Sequence, residues 1–552
     1  MRQVILLTLI MLTQSAYAQT GNRYWIEFTD KNNTPFSLSN PAAYLSQRSI
    51  DRRTRQGIAV DSTDIPVNSW YLDSLVAKGA TLRHHSKWLN GATIEVPSPS
   101  VLQAINNLPF VKSTRNNGRV GYTRDPLFED KLQLPADGQA LRVQRLTNAS
   151  YGVSYNQIRL HHGDVLHNLG YMGQGMYIAV FDAGFINTNI LPCFDSLYLG
   201  NRVIDTYDYV DLSTNVYGFD SHGTYVLGCM AGVIPGELIG TAPAASYLLY
   251  RTENNVGGSE NQIEEDNWVA AAERADSIGA DVFNTSLSYT TFDNAAMNYT
   301  YADMDGNTAR ITRASDYAAQ KGILVVASAG NYGNGGWTYI GAPADGDSVL
   351  SVGATGADGN RVGFSSIGPT SDGRIKPNVM AQGSGAVTCQ LSGQGVTFVN
   401  GTSFSGPIMA GLAAILWQAH PNKSNMDIYN ALQQSGNNAS SPNNQVGYGL
   451  PNLQQALMSL GNKEMQQTAF IDVYPNPFND VFSVNFNTQV GAQASLRMMD
   501  IQGRVVYEES LGWVISGPNA FKLSPPLNLP AGMYVLEIVS DYNRFISRII
   551  KH

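Results

Sequence analysis

Met176-Tyr177-Ile178-Ala179-Val180-Phe181-Asp182 is a run of six apolar residues that ends on a carboxylate. An apolar run with no polar alternation suits a parallel strand buried on both faces. In open α/β sheets, sites form at the carboxyl ends of such strands, which is where Asp182 falls. The run therefore predicts an α/β fold on a parallel sheet, with Asp182 at its working edge.

Three further segments supply the partners such an acid needs. His222-Gly223-Thr224 follows Phe219-Asp220-Ser221 and leads into Met230, which predicts a helix with His222 in its first turn. Gly401-Thr402-Ser403-Phe404-Ser405-Gly406 precedes Pro407, which fits the opening turn of a helix through Ala410, Ala413, Ala414 and Trp417. The Ser403 hydroxyl would then lie where backbone N–H groups point outward. Gly322-Ile323-Leu324-Val325-Val326-Ala327-Ser328-Ala329-Gly330-Asn331 reads as a buried strand that ends by presenting an amide. Acyl transfer needs donors where the oxyanion develops, and the Asn331 side chain with the Ser403 N–H would provide two. Taken singly, Asp-x-Gly is an ordinary turn, His-Gly-Thr a helix cap and Gly-Thr-Ser a loop. In the order Asp, His, Ser they supply an acid, a base and a nucleophile, and that order is the one found in subtilisin.

The four segments resemble those of subtilisin-like serine proteases. The likeness extends to Tyr151-Gly152-Val153-Ser154, Gln157-Ile158 and Gly173-Gln174-Gly175, which resemble the opening of the mature domain. The resemblance implies a catalytic triad of Asp182, His222 and Ser403, with Asn331 as oxyanion donor. It also implies that an extended substrate pairs with Ser286, Leu287 and Ser288 on one side and Ser328, Ala329 and Gly330 on the other. The family usually has glycine after Ser-Leu, and Ser288 stands there instead, which bears on how closely a substrate backbone can approach. No cofactor is required for the chemistry. Many members bind structural calcium, and no ligands are assigned here: Asp303-Met304-Asp305-Gly306-Asn307 has its glycine fourth, where an EF-hand loop has it sixth, and reads as a turn. Asp205, Asp208 and Asp211 read as a solvated face. An esterase of the α/β-hydrolase type would need Gly-x-Ser-x-Gly and the order Ser, Asp, His. Ser405 occupies the second glycine position, and only His420 and His552 follow Ser403.

At 552 residues, 43% hydrophobic and 14% charged, the chain has ample core for two or three domains. Met1-Arg2, the apolar stretch Val4–Leu12 and Ala16-Tyr17-Ala18 read as a signal peptide over residues 1–18. No other run approaches a membrane-spanning length. The net charge of −9 argues against nucleic acid as a partner. Residues 19–150 carry 16 Lys and Arg against 11 Asp and Glu, whereas residues 151–552 carry 18 against 33. A basic piece facing an acidic enzyme suggests electrostatic complementarity. Strands at Tyr24–Phe28 and Ala92–Val96 and helices at Trp70–Ala77 and Val101–Leu108 predict a small α+β unit, which the resemblance makes an inhibitory propeptide over 19–140. A retained accessory domain is the alternative. Residues 112–150 read as polar and turn-rich, with Arg115, Arg119, Arg124, Arg142 and Arg145 marking a processing region. Cys193, Cys229 and Cys389 leave at least one thiol free, Cys229 reads as a core residue, and Cys193 is a candidate partner for it.

The peptidase-like region spans 141–465. Beyond it, the polar stretch Lys463–Thr468 reads as a linker. Alternation in Val481–Phe486 and turn signals between apolar segments predict a small all-β sandwich over 466–552. Val473-Tyr474-Pro475-Asn476-Pro477-Phe478, Asp500–Val506 and Leu529–Ile538 resemble the carboxyl-terminal sorting domain of the type IX secretion system. That resemblance implies export across the inner and outer membranes to the cell surface or medium, with the secretion machinery as partner alongside protein or peptide substrates. An adhesive or carbohydrate-binding module is the alternative.

Overall fold

Both faces of the first strand, β1 (Asn22–Phe28), are put to use, and this sets the arrangement of the amino-terminal unit. Ile26 and Phe28 point into a core with Ile94, Val96, Tyr71, Leu75 and Ile105. Trp25 faces the other way, under the guanidinium of Arg310 at 5.6 Å. The computed structural model describes residues 22–119, 150–255, 260–468, 471–488, 491–540 and 544–552. The signal peptide and the arginines at 124, 142 and 145 lie outside these residues.

The unit continues with helices α1 (Gln47–Gln56) and α2 (Ser69–Ala77), strands β2 (Thr81–Ser86) and β3 (Gly91–Val96), helix α3 (Pro99–Asn106) and strand β4 (Val111–Arg119). The strands form an antiparallel sheet in the order β2-β3-β1-β4. The start of the expected polar processing region, Val111–Arg119, is therefore a strand. Backbone pairing with β1 outweighs its polar composition, because an inner neighbour satisfies its N–H and C=O groups.

The expected parallel sheet has seven strands. They are β5 (Tyr177–Asp182), β6 (Val203–Asp208), β7 (Ser246–Arg251), β8 (Val282–Thr285), β9 (Leu324–Ser328), β10 (Val349–Thr355) and β11 (Val379–Gln382). Their order is β11-β10-β9-β8-β5-β7-β6, all parallel. After β5 the chain goes to the edge strand β6, fills in with β7 and then crosses to the other side of β5, so β5 and β8 flank a topological switch point. Helices α4 (His222–Ala231) and α7 (Thr402–Ala419) cover one face, with Ile178 and Val180 of β5 in the shared core. Helices α5 (Ile263–Ile278) and α6 (Arg310–Gln320) cover the other, with Ala179 and Phe181. The hairpin of β12 (Ser384–Cys389) and β13 (Val396–Asn400) leads into α7.

Three sequence expectations change here. The stretch Lys463–Thr468 is the end of a helix, α8 (Leu453–Thr468), rather than an extended linker, because Lys, Glu, Met and Gln are good helix formers. Of Asp205, Asp208 and Asp211, only Asp211 is exposed as the expected solvated face would have it. Asp208 is fully buried and lies opposite Arg251 across β6 and β7, with Nη1 at 2.8 Å; Asp211 shares that nitrogen at 2.8 Å, and Asp205 takes Arg274. Cys193, Cys229 and Cys389 are all buried free thiols. Burial first, and then the neighbouring Cys193, hold the Cys389 thiol well above its ordinary value, and burial pushes the Cys229 thiol up to about 12, so both stay protonated.

The carboxyl-terminal strands form two antiparallel sheets. One holds β14 (Ile471–Tyr474), β15 (Phe482–Thr488) and β18 (Gly517–Leu523); the other holds β16 (Ala492–Met499), β17 (Val505–Val514), β19 (Gly532–Ser540) and β20 (Arg544–Lys551). Alternate residues of both, such as Val484, Phe486, Leu496, Met498, Leu536 and Ile538, fill one core.

Candidate active site

Four loops meet at the carboxyl edge of the parallel sheet. Asp182 ends β5 and is fully buried. His222 opens α4, and its backbone N–H donates to Asp220 Oδ1 at 2.7 Å, which fixes the first turn. Between His222 Nδ1 and Asp182 Oδ1 the distance is 2.7 Å. That contact depends on Gly223, where a Cβ would lie 2.3 Å from Gly184 O and 3.0 Å from Asp182 Cβ. The imidazole also packs against Phe404, ring centroids 5.7 Å apart.

Ser403 sits in the first turn of α7, where no intrahelical acceptor awaits its N–H. Pro407 is not in that first turn: α7 begins at Thr402, so the proline is inside the helix. Its missing N–H would have bonded the carbonyl four residues back, that of Ser403. That carbonyl instead accepts the Ser286 hydroxyl at 2.9 Å, and Ser403 Oγ donates to Ser286 O at 3.3 Å. The proline thus frees a carbonyl that ties the nucleophile loop to the strand after β8.

Asn331 is exposed, but its orientation is set. Its Oδ1 accepts the Thr402 N–H at 2.8 Å and the Thr402 hydroxyl at 2.9 Å, so its amide nitrogen is the end left to donate outward. Gly330 before it has φ +104°, and a Cβ there would lie within 3.0 Å of Ser288 Oγ, Ser366 Oγ and Tyr332 Cε2. Thr402, to which the sequence motif assigns no role, is the residue that aims Asn331.

The two segments expected to pair with substrate flank this cluster. Ser286 and Leu287 are buried, and Ser328 Oγ donates to Leu287 O at 3.2 Å, joining the segments behind the site. The side chain of Ser288, the departure from the family pattern, turns inward toward Gly330 and Gly341, where added Cβ atoms would lie 3.0 and 2.4 Å from its Oγ. Its carbonyl accepts the Tyr332 hydroxyl at 3.0 Å. Sequence reasoning missed Tyr332, although it directly follows Asn331.

It also missed an acidic group. Glu253, Glu260 and Glu264 each place an oxygen within 4.8 Å of the others. Such a group of carboxylates could hold a cation, which takes its oxygens from carboxylates, carbonyls and water together. Both Glu264 oxygens already accept backbone N–H groups, from Asn254 at 2.8 Å and Asn261 at 3.0 Å, and Tyr289 donates to Glu253. Burial and then the Glu253 charge hold the Tyr289 hydroxyl well above its ordinary value. Asp305 is a turn residue, its Oδ1 accepting the N–H groups of Asn307 and Thr308 at 2.8 Å each.

A buried Asp–His pair, a serine at a helix start and an aimed amide at a switch point define an α/β protein with the layout of a serine hydrolase. Residues 173–449 match the subtilase family, residues 23–126 the peptidase S8 propeptide domain of Bacteroidota, and residues 472–552 the secretion system C-terminal sorting domain. The chain is 32% identical to subtilisin NAT of Bacillus subtilis subsp. natto over 291 residues, 52% of this chain and 65% of that protein. It is 32% identical to subtilisin of Bacillus pumilus over 312 residues, 55% of this chain and 98% of that one. Bacillopeptidase F of Bacillus subtilis is 28% identical over 420 residues, 71% of this chain and 27% of its own length. The chain belongs to the subtilase family. Its sorting domain marks it for export to the cell surface or extracellular space, and among the described residues no helix is long and apolar enough to cross a membrane.

Proposed function

We propose that the chain is an exported serine endopeptidase. Ser403 Oγ attacks the scissile carbonyl, His222 takes its proton and returns it to the leaving amine, and Asp182 holds the imidazole and stabilises the imidazolium. The Asn331 amide and the Ser403 N–H receive the oxyanion. Water then hydrolyses the acyl-enzyme, activated by the same histidine. Protein or peptide substrates lie extended between Ser286–Ser288 and Ser328–Gly330, with main-chain hydrogen bonds supplying much of their binding. Type IX secretion machinery delivers the enzyme by reading the last domain. In this reading the domains run 19–140, 141–465 and 466–552.

The observation that carries the reading is the 2.7 Å Asp182–His222 contact at the edge where Ser403 and the pinned Asn331 also emerge. Ser403→Ala should abolish cleavage of a mixed peptide library and labelling by a fluorophosphonate. Labelling that survives the substitution means another nucleophile. Asn331→Ala should lower kcat with little change in KM, by about 10²- to 10³-fold, the loss known for the side-chain oxyanion donor of subtilisin itself.

A further inference from the structure

Two of the contacts that join the propeptide to the peptidase are broad. One is the sheet face on α5 and α6, where Thr93 donates to Asp266 at 2.5 Å and His84 Nε2 lies 2.8 Å from Asn267 Oδ1. The other is α1. Its sequence, Gln-Arg-Ser-Ile-Asp-Arg-Arg-Thr-Arg-Gln, has the look of a solvated basic helix, yet Arg52 and Arg53 are 0% and 1% exposed.

The segment lies across the carboxyl ends of α5 and α6. The last carbonyls of a helix lack intrahelical donors, and that end carries partial negative charge. At α5, Ser46 donates its N–H to Ser277 O at 2.8 Å and its hydroxyl to Ile278 O at 2.7 Å. Arg48 Nε reaches Gly279 O at 2.9 Å, and Arg52 reaches Ala280 O. At α6, Arg52 Nε reaches Lys321 O at 3.3 Å and Gln56 Nε2 reaches Gly322 O at 2.8 Å. One propeptide segment therefore caps α5 and, at α6, holds the two carbonyls that directly follow the helix. Glycines make room for it: Gly279 has φ +107°, and a Cβ there would lie 2.7 Å from Arg48 Cγ.

Charge is shared across the same contact. Asp276 of α5 is fully buried, and its cations are Arg52 at 2.5 Å, Arg53 at 2.9 Å and Lys87 at 3.2 Å, all from the propeptide. In return, Asp64 of the propeptide takes Lys321 of the peptidase at 3.1 Å as well as Arg53 at 2.8 Å. Arg48 pairs with Asp281 and stacks over Tyr177 at 3.8 Å.

This contact is remote from the candidate site. Ala280, Asp281, Lys321 and Gly322 precede the amino ends of β8 and β9, whereas Ser286 and Asn331 follow their carboxyl ends. At about 3.3 Å rise per residue, the length of β5 alone separates the two edges by roughly 15–20 Å.

We infer that this edge of the peptidase is a docking site for an arginine-bearing helix, and that residues 46–64 of the propeptide occupy it as a second anchor. The anchor sets how long the propeptide stays on the enzyme after the connecting chain is cut. Two attachments on one fragment hold each other at high local concentration, so losing either shows mainly in the dissociation rate. The anchor rests on contacts that do not involve Ser403, so its test removes hydrolysis.

The test uses the full-length chain carrying Ser403→Ala, with a recognition sequence for an added protease placed within residues 120–149. After that cut, release of the 22–119 fragment is followed by native mass spectrometry. Arg52→Gln with Arg53→Gln should speed release by about 100-fold or more, as expected when a buried charge pair is broken. Arg48→Ala, whose side chain is 30% exposed, should speed it by about tenfold. Hydrogen exchange of β1 to β4 in the uncut variants shows whether the propeptide still folds. If the double variant loses that protection, Arg48→Ala alone decides. Release within about threefold of the parent, from variants that keep the protection, overturns the inference and leaves α1 as local packing.

Discussion

The propeptide sends Trp88 into the core beneath α5 and α6 and surrounds Asp276 with three cations, whereas the core of the carboxyl-terminal sandwich is built from its own residues between Val473 and Ile549. The hydrogen bonds described for the sandwich join its own strands, as Phe478 N to Ile550 O at 2.9 Å and Lys551 Nζ to Asn479 O at 2.6 Å. Both appended modules are small and rich in strand, so size and composition do not separate them. What separates them is where buried charge is compensated. A peptidase carboxylate that depends on propeptide cations couples the folding of the two, because an uncompensated buried charge is strongly unfavourable. A sandwich with a closed core of its own imposes no such dependence.

The largest expected effect breaks this coupling. A chain lacking residues 22–119 should give at least about tenfold less folded peptidase on refolding, because Asp276 loses its cations and the α5–α6 face loses its cover. Recovery is read as cooperative unfolding together with fluorophosphonate labelling. An unchanged yield would mean that the propeptide contacts follow folding rather than support it.

A smaller effect sharpens the comparison at single residues. Trp88 is 3% exposed and its ring lies 6.5 Å from that of Tyr317, so Trp88→Ala should cost about 3–5 kcal/mol in the propeptide–peptidase transition. Trp513 of the sandwich is 63% exposed, and Trp513→Ala should stay within about 0.5 kcal/mol. Denaturant midpoints measure both. Equal losses would show that tryptophan content, and not placement, governs the difference.

The central sheet was legible because its signal is local: six apolar residues and a terminal carboxylate describe β5 without reference to any neighbour. The starts of α4 and α7 were legible for the same reason, although Pro407 drew the second start too late. The opposite charges of the propeptide and the rest of the chain were also plain in the sequence. Their meeting place was not, since Arg52, Arg53 and Asp276 are more than two hundred positions apart and only the fold brings them together. Asp208 misled for a similar reason. Spacing within β6 cannot reveal that the register with β7 sets Arg251 beside it. Thr402 stands inside the Ser403 segment and Tyr332 directly follows Asn331, but their roles depend on contacts across the site, to Asn331 from one and to Ser288 from the other.

The smallest expected effect on the peptidase comes from removing residues 471–552. Each proposed catalytic residue precedes Ser405, and the core of the sandwich contains none of the residues that form the cores of the peptidase. Changes at distant sites with no shared partners act independently. The shortened enzyme should therefore cleave small peptides within about twofold of the full chain, with the peptidase unfolding transition moved by less than about 0.5 kcal/mol. Its export should fail, leaving the protein in the periplasm, and the same segment fused to an inert periplasmic passenger should carry that passenger across the outer membrane. Cell fractionation reads the export arm, and peptide hydrolysis reads the other. A truncated protein that exports normally but no longer adheres to cells or polysaccharide would make the sandwich an adhesive module. A truncated protein with a lowered unfolding transition would instead show that the sandwich, like the propeptide, holds part of the peptidase together.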